Sequence, residues 1–207
     1  MKKEQEPIKK PAKGRRYYKY ESTVAFFDVV GFSKRATSIG MTGIFVDIQQ
    51  IVADTFWEDF YWGETNTDNN LILLPTGDGY GICFPRSVEH TSVLGYIRQL
   101  WTQFKELNAK VRFGVNYGIN YVVEDVNEMP NIIGWGITMA QRAMDIGDSG
   151  HILCTAEFAR PLEKDIPQLV KVPGNFPIKH GDTLTIYNYF EKDKFGNPRM
   201  PRKQSKK

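Results

Sequence analysis

Two aspartates, each just past an apolar run and each followed closely by glycine, constrain this chain more than any other feature. Asp28 stands in F-F-D-V-V-G-F-S, Phe26 to Ser33, after the run Thr23–Phe27. Asp78 stands in P-T-G-D-G-Y-G-I-C-F, Pro75 to Phe84, after Leu71–Leu74. A carboxylate at the end of a buried strand is costly to bury alone. Two such groups repel when brought together, unless a cation sits between them. Hard oxygen ligands in small number, with phosphate completing the shell, suit Mg²⁺ or Mn²⁺. The pattern points to a divalent-metal, triphosphate site at the meeting of two strand ends. The plainer assignments are a helix N-cap for Asp28 and a D-G turn residue for Asp78. Gly31 and Phe32 separate Asp28 from the helical pattern that follows, which weakens the first.

At 207 residues the chain suits one domain with tails, and 13% aromatic and 41% apolar content suit a packed middle. Its net charge of +3 conceals a split. Residues 1–20 hold eight Lys/Arg against two Glu, and residues 192–207 hold seven against one Asp. The remainder is acidic. Residues 1–20 and 192–207 are therefore expected to be basic, disordered tails around a domain at 21–191. They are solubilising ends or weak contacts to an anionic surface; the acidic middle argues against a nucleic-acid protein. Cys83 and Cys154 lie in apolar stretches, so buried thiols and a cytoplasmic setting are expected. No apolar run approaches the roughly 20 residues that span a bilayer, and no signal peptide is evident.

Along the chain, Glu21–Phe32 reads as a buried strand and Lys34–Tyr61 as mostly helix, with Ile44, Ile48, Ile51, Val52 and Phe56 at helical spacing. Asn70–Leu74 and Tyr80–Phe84 read as a hairpin around Thr76–Gly79. Val88–Leu107 is a second helix, and Val111–Gly118 a strand. Ile137–Ile146 reads as helix, His151–Cys154 as a short strand, Thr155–Leu162 as helix and Thr183–Phe190 as a last strand. The order is that of a ferredoxin-like βαββαβ unit with an αβαβ extension: an α+β fold.

Five blocks in this order resemble the catalytic domain of class III nucleotidyl cyclases. Phe26–Ser33 and Thr76–Phe84 are similar to the family's two metal motifs, and Val111–Gly118 to the strand after its second helix. Gly134–Met144 is similar to its dimer-arm helix, and Gly150–Phe158 to the strand and helix that follow. The resemblance covers roughly residues 22–190. It implies a central, mostly antiparallel sheet and a head-to-tail homodimer with active sites shared between chains. It implies that Asp28 and Asp78 hold two divalent metals, Mn²⁺ or Mg²⁺, with the Val29 carbonyl as a further ligand. Backbone amides from Val30, Gly31, Phe32 and Ser33 would cradle the triphosphate. The partner chain would supply Asn131 near the base, Thr138 near the ribose and Arg142 on the phosphates, where a guanidinium fork suits spreading negative charge. Lys179, in P-I-K-H-G-D, falls where the family often places a phosphate-binding lysine. The metals in that family ready the ribose 3′-hydroxyl and neutralise the departing pyrophosphate. Plainer roles exist for several of these residues: an exposed helical arginine at 142, a core-facing Thr138, a loop Asn131 and a solvated Lys179.

The base-reading positions depart from the family pattern. Adenylate cyclases of this class usually carry lysine four residues before the second metal aspartate, where this chain has Leu74. They usually carry aspartate and asparagine where Asn131 and Thr138 align. An apolar wall plus one amide suits a smaller base, since an amide both donates and accepts. In this the chain resembles the pyrimidine cyclases of the Pycsar antiphage system. That resemblance implies cyclic UMP, with cyclic CMP as the alternative, as a messenger to a separate effector. A purine cyclase and a nucleotide-sensing pseudo-cyclase are the other readings. Retention of both metal aspartates argues against the last.

Overall fold

A computed structural model describes residues 17–31, 41–56, 59, 71–126, 129–178 and 182–201. Strands β1 (Tyr17–Val29), β2 (Ile72–Pro75), β3 (Gly79–Phe84), β4 (Val111–Glu124) and β5 (Pro130–Ile133) form the first half of the sheet. Strands β6 (Ile152–Thr155), β7 (Leu169–Lys171) and β10 (Ile186–Tyr189) complete it. The order is β2-β3-β1-β4-β6-β10-β7, with β5 hydrogen-bonded to β4. All pairings are antiparallel except β4 with β6. Strands β8 (Phe176–Pro177) and β9 (Thr183–Leu184) form a separate ribbon. The helices are α1 (Met41–Phe56), α2 (His90–Glu106), α3 (Trp135–Ile146) and the short α4 (Ala156–Ala159). The expected α+β fold, with a mostly antiparallel central sheet, is what the chain adopts.

The period-2 alternation of β1 sorts the layers. Ala25, Phe27 and Val29 face one side, where they meet Ile48, Val52 and Phe56 of α1 and Val93, Ile97, Leu100 and Phe104 of α2. The apolar residues of both helices recur at three- and four-residue spacing, so each buries one stripe. Val24 and Phe26 face the other side, against Ala140 and Met144 of α3. Asp28 has the parity of Val24 and Phe26. It therefore emerges at the end of the sheet on the side that α3 covers.

Several boundaries differ from the sequence reading. β1 begins at Tyr17, because Tyr17–Tyr20 pair with Asn120–Val123 of a β4 that runs six residues past Gly118. β1 ends at Val29 rather than at Phe32, and the chain turns at Val30 and Gly31. Thr183–Phe190 is two strands, β9 and β10, in two different sheets. The expected tail at 192–207 is structured through Pro201: Phe195 is 5% exposed and packs on Tyr189 with ring centroids 4.8 Å apart. His151, fully buried, ties this segment down. Its Nδ1 accepts the Asp148 amide at 2.8 Å, so Nε2 carries the proton donated to the Arg199 carbonyl at 2.8 Å. Phe32, Ser33, Lys179 and the ends 1–16 and 202–207 lie outside the described residues. Both cysteines are buried thiols, and burial pushes Cys83 up to about 12. No helix among the described residues is long and apolar enough to cross a membrane.

Candidate active site

The β2–β3 turn brings the two aspartates together. Thr76 N–H donates to the Gly79 carbonyl at 3.0 Å, and Gly77 takes a φ of 92°, a conformation that glycine adopts without strain. Gly79 then pairs with Asp28 across β3 and β1, and the Val29 amide donates to the Asp78 carbonyl at 2.9 Å. Backbone ladder and turn together fix Asp78 beside the end of β1. A β-carbon at Gly79 would lie 1.8 Å from the Phe27 carbonyl oxygen, so the approach requires glycine there.

Asp28 and Asp78 line one pocket of about 370 Å³ with Val29, Val30, Gly31, Arg112, Gly147, Asp148 and Ser149. Both carboxylates are half-buried. The wall opposite β1 is the loop that follows α3, held from behind by His151 and by Asn197, whose Nδ2 donates to the Ser149 carbonyl at 2.9 Å. Two carboxylates and nearby backbone on one wall make a hard-oxygen donor set, which fits a divalent cation of the Mg²⁺ or Mn²⁺ kind. Among the described residues no three His, Cys, Asp or Glu side chains converge as a ready cation nest. Further ligands would have to come from substrate phosphates or water.

One neighbour of Asp28 escaped the sequence reading. Arg112 stands directly opposite Asp28 in the β1–β4 register. Its Nε donates to Oδ1 at 2.8 Å and its Nη2 to Oδ2 at 2.7 Å, while Nη1 donates to the Gly147 carbonyl at 3.2 Å. The hydrogen bond to Asp28 raises the Arg112 pKa above its ordinary value, and the charges of Asp145 and Asp78 add to it. A lone arginine in the otherwise apolar opening of V-R-F-G-V was the signal: a charge inside a central strand needs a partner across it.

The other predicted residues fall elsewhere. The Val30 amide donates to the Lys110 carbonyl at 2.6 Å. It is committed to the backbone and is not available to phosphate, so the expected amide cradle loses its first member; Gly31, at φ 79°, lines the pocket. Leu74 on β2 is half-buried against the cluster that α3 covers. Asn131 on β5 accepts the Ile132 amide through Oδ1 at 2.7 Å. The Thr138 hydroxyl donates to the Gly134 carbonyl at 3.2 Å in the first turn of α3. Arg142 pairs with Asp145 at 3.4 Å on the last turns of α3. Burial raises the Asp145 pKa. None of Leu74, Asn131, Thr138 or Arg142 lines the pocket of Asp28 and Asp78 in the same chain.

No family model matches the sequence, and no curated protein matches it. Solved structures do match. The adenylyl cyclase CyaB from P. aeruginosa superposes with a TM-score of 0.70 at 15% identity, covering 87% of this chain and all of that one. The catalytic core of a rhodopsin-guanylyl cyclase with converted specificity, in complex with ATPalphaS, gives 0.66 at 16%, over 84% and 98%. The guanylate cyclase domain of RhGC from Catenaria anguillulae, in complex with GTP, gives 0.61 at 17%, over 82% and 97%. The architecture built by these strands and helices is the one that class III adenylyl and guanylyl cyclase catalytic domains share.

Proposed function

We propose that this chain is a metal-dependent nucleotidyl cyclase. It closes a pyrimidine nucleoside triphosphate, UTP before CTP, to the 3′,5′-cyclic monophosphate with release of pyrophosphate. The observation that carries the proposal is the convergence of Asp28 and Asp78 on one pocket at the end of a cyclase-type sheet. Asp28, Asp78 and the Val29 carbonyl would hold the divalent cations. When bound, these cations supply charge neutralisation at the triphosphate and activation of the 3′-hydroxyl. The 3′-oxygen bonds to the α-phosphorus, the bond to the β-phosphate oxygen breaks, and the hydroxyl proton leaves to solvent. Gly31 offers close backbone approach to phosphate. Arg142 of a second copy stabilises negative charge on the α-phosphoryl group.

The absence of Leu74, Asn131, Thr138 and Arg142 from the pocket of their own chain supports a site completed by a partner subunit. The apolar surface at the β4–β5 hairpin and the start of α3 supports it too. There Ile119, Val126, Met129, Ile133 and Trp135 are all exposed, Trp135 at 60%. A pyrimidine is supported by the amide of Asn131. Its Oδ1 accepts the Ile132 amide and keeps a second lone pair, and its Nδ2 keeps two donors, so the side chain can meet the Watson–Crick edge of either pyrimidine. The product would act, from a cytoplasmic enzyme, on a separate effector in antiphage defence.

The test is incubation of the purified protein with Mn²⁺ and equimolar ATP, GTP, CTP and UTP, with products identified by mass spectrometry. Cyclic UMP is expected to dominate. Dominant cyclic AMP or GMP would remove the pyrimidine assignment, and no pyrophosphate from any of the four would remove the cyclase assignment.

A further inference from the structure

Asp28 has more cationic company than a metal ligand needs. Arg112 holds both of its oxygens in a side-on fork, the strongest geometry available to a guanidinium and a carboxylate. The pair is largely shielded, with side-chain exposures of 25% for Arg112 and 16% for Asp28, so solvent screens it only in part. The arginine is anchored by more than Asp28. Nη1 rests on the Gly147 carbonyl just past the C-terminal end of α3, and Asp145 acts on the same charge. The guanidinium therefore keeps the Gly147 carbonyl as a partner when it leaves Asp28, with the Asp145 carboxylate, itself paired with Arg142 at 3.4 Å, acting on its charge.

A cation shared by Asp28 and Asp78 must use carboxylate oxygens that now accept from Arg112. It must also approach a positive charge that already offsets half of the pair. We propose that Arg112 and the divalent cation compete for Asp28, so that cation binding requires the guanidinium to release at least one carboxylate oxygen and turn toward Gly147 and Asp145. Arg112 is thus a positioning residue that sets how much metal the enzyme needs. The inference rests on the cyclase reading above, and its test separates the two.

Manganese binding to the full-length protein is measured by electron paramagnetic resonance of free Mn²⁺, with Mn²⁺ alone and with 3′-deoxy-UTP, which cannot cyclise. Wild type, Arg112→Gln, Arg112→Lys and Asp28→Asn are compared, with folding checked by circular dichroism. Arg112→Gln should bind Mn²⁺ alone at least about tenfold more tightly than wild type, since a repelling charge is lost at short range. Arg112→Lys, which keeps the charge and loses the fork, should fall between the two and serves if the glutamine variant does not fold. The gain should vanish when Asp28→Asn is added. Binding equal to or weaker than wild type in both Arg112 variants, with Asp28→Asn still impaired, overturns the competition and leaves the cyclase reading standing. Mn²⁺ binding that Asp28→Asn does not weaken overturns both.

Discussion

Asp78→Ala is expected to lower cyclase turnover at least about a thousandfold, about 4 kcal/mol of lost transition-state stabilisation, while the protein stays folded. The two halves of that expectation have separate causes. Asp78 enters the turn through its backbone: its carbonyl accepts the Val29 amide, and alanine keeps that bond. The neighbouring turn depends on Gly77 and on the Thr76-to-Gly79 bond, neither of which changes. Removing the carboxylate relieves its repulsion from Asp28 and gives up its attraction to Arg112, two opposing effects. Stability should stay within about 0.5 kcal/mol of wild type, the range for substitutions that disturb no buried partner. Asp28→Ala is a poorer test, because it also strips Arg112 of its carboxylate. Pyrophosphate release and urea denaturation of the same Asp78→Ala preparation check both halves. Retained turnover in a folded protein would remove Asp78 from the chemistry.

Gly114→Ala is expected to act through the fold instead, with a large loss of stability from one added methyl group. β4 passes under α3 at this glycine. An added β-carbon would lie 2.2 Å from the Ala140 carbonyl oxygen, 2.2 Å from the Met144 nitrogen and 2.7 Å from the Met144 β-carbon. Two of these are backbone atoms of the helix, so no rotamer change can yield. The helix must move out by about 1 Å or more to restore ordinary contact distance. Overpacking of this kind costs about 3 kcal/mol, and the melting temperature of a chain this size should fall by about 6–12 °C. The displaced helix carries Thr138 and Arg142 and leads into Gly147, so activity should fall with it. Gly95→Ala is the control: that glycine lies exposed within α2, and its β-carbon would meet nothing within 4 Å. Alanine there should stabilise by about 0.5–1 kcal/mol through helix propensity. Thermal unfolding of the two variants beside wild type decides the matter.

These contrasts show which parts of the molecule can be read without coordinates. The aspartates were visible because a charge ending a buried strand violates the local pattern, and glycine beside it marks close backbone approach. The long helices were visible because each buries a single stripe. What escaped depends on pairing. β5, β7 and β8 are four, three and two residues long, too short for a period to register, and exist because a neighbouring strand offers a free edge. Tyr17–Tyr20 looked like part of a basic tail. Only the length of β4 makes them strand. Thr183–Phe190 looked continuous, yet the Thr185 carbonyl accepts the Ala156 amide and the chain changes sheets there. The C-terminal segment looked soluble by charge, while the buried side chains of Phe195 and His151 hold it in place. Arg112 is the instructive omission. Its partner is 84 residues away, and only the antiparallel register brings the two side by side.

The most direct measurement is anomalous diffraction from crystals grown with Mn²⁺ and 3′-deoxy-UTP. The account predicts manganese peaks between Asp28 and Asp78, with carboxylate oxygens of both residues at about 2.1 Å, the contact length of a small hard cation. Manganese bound elsewhere, or held by one aspartate while the other stays apart from it, would contradict the claim that these two side chains form a single cation site.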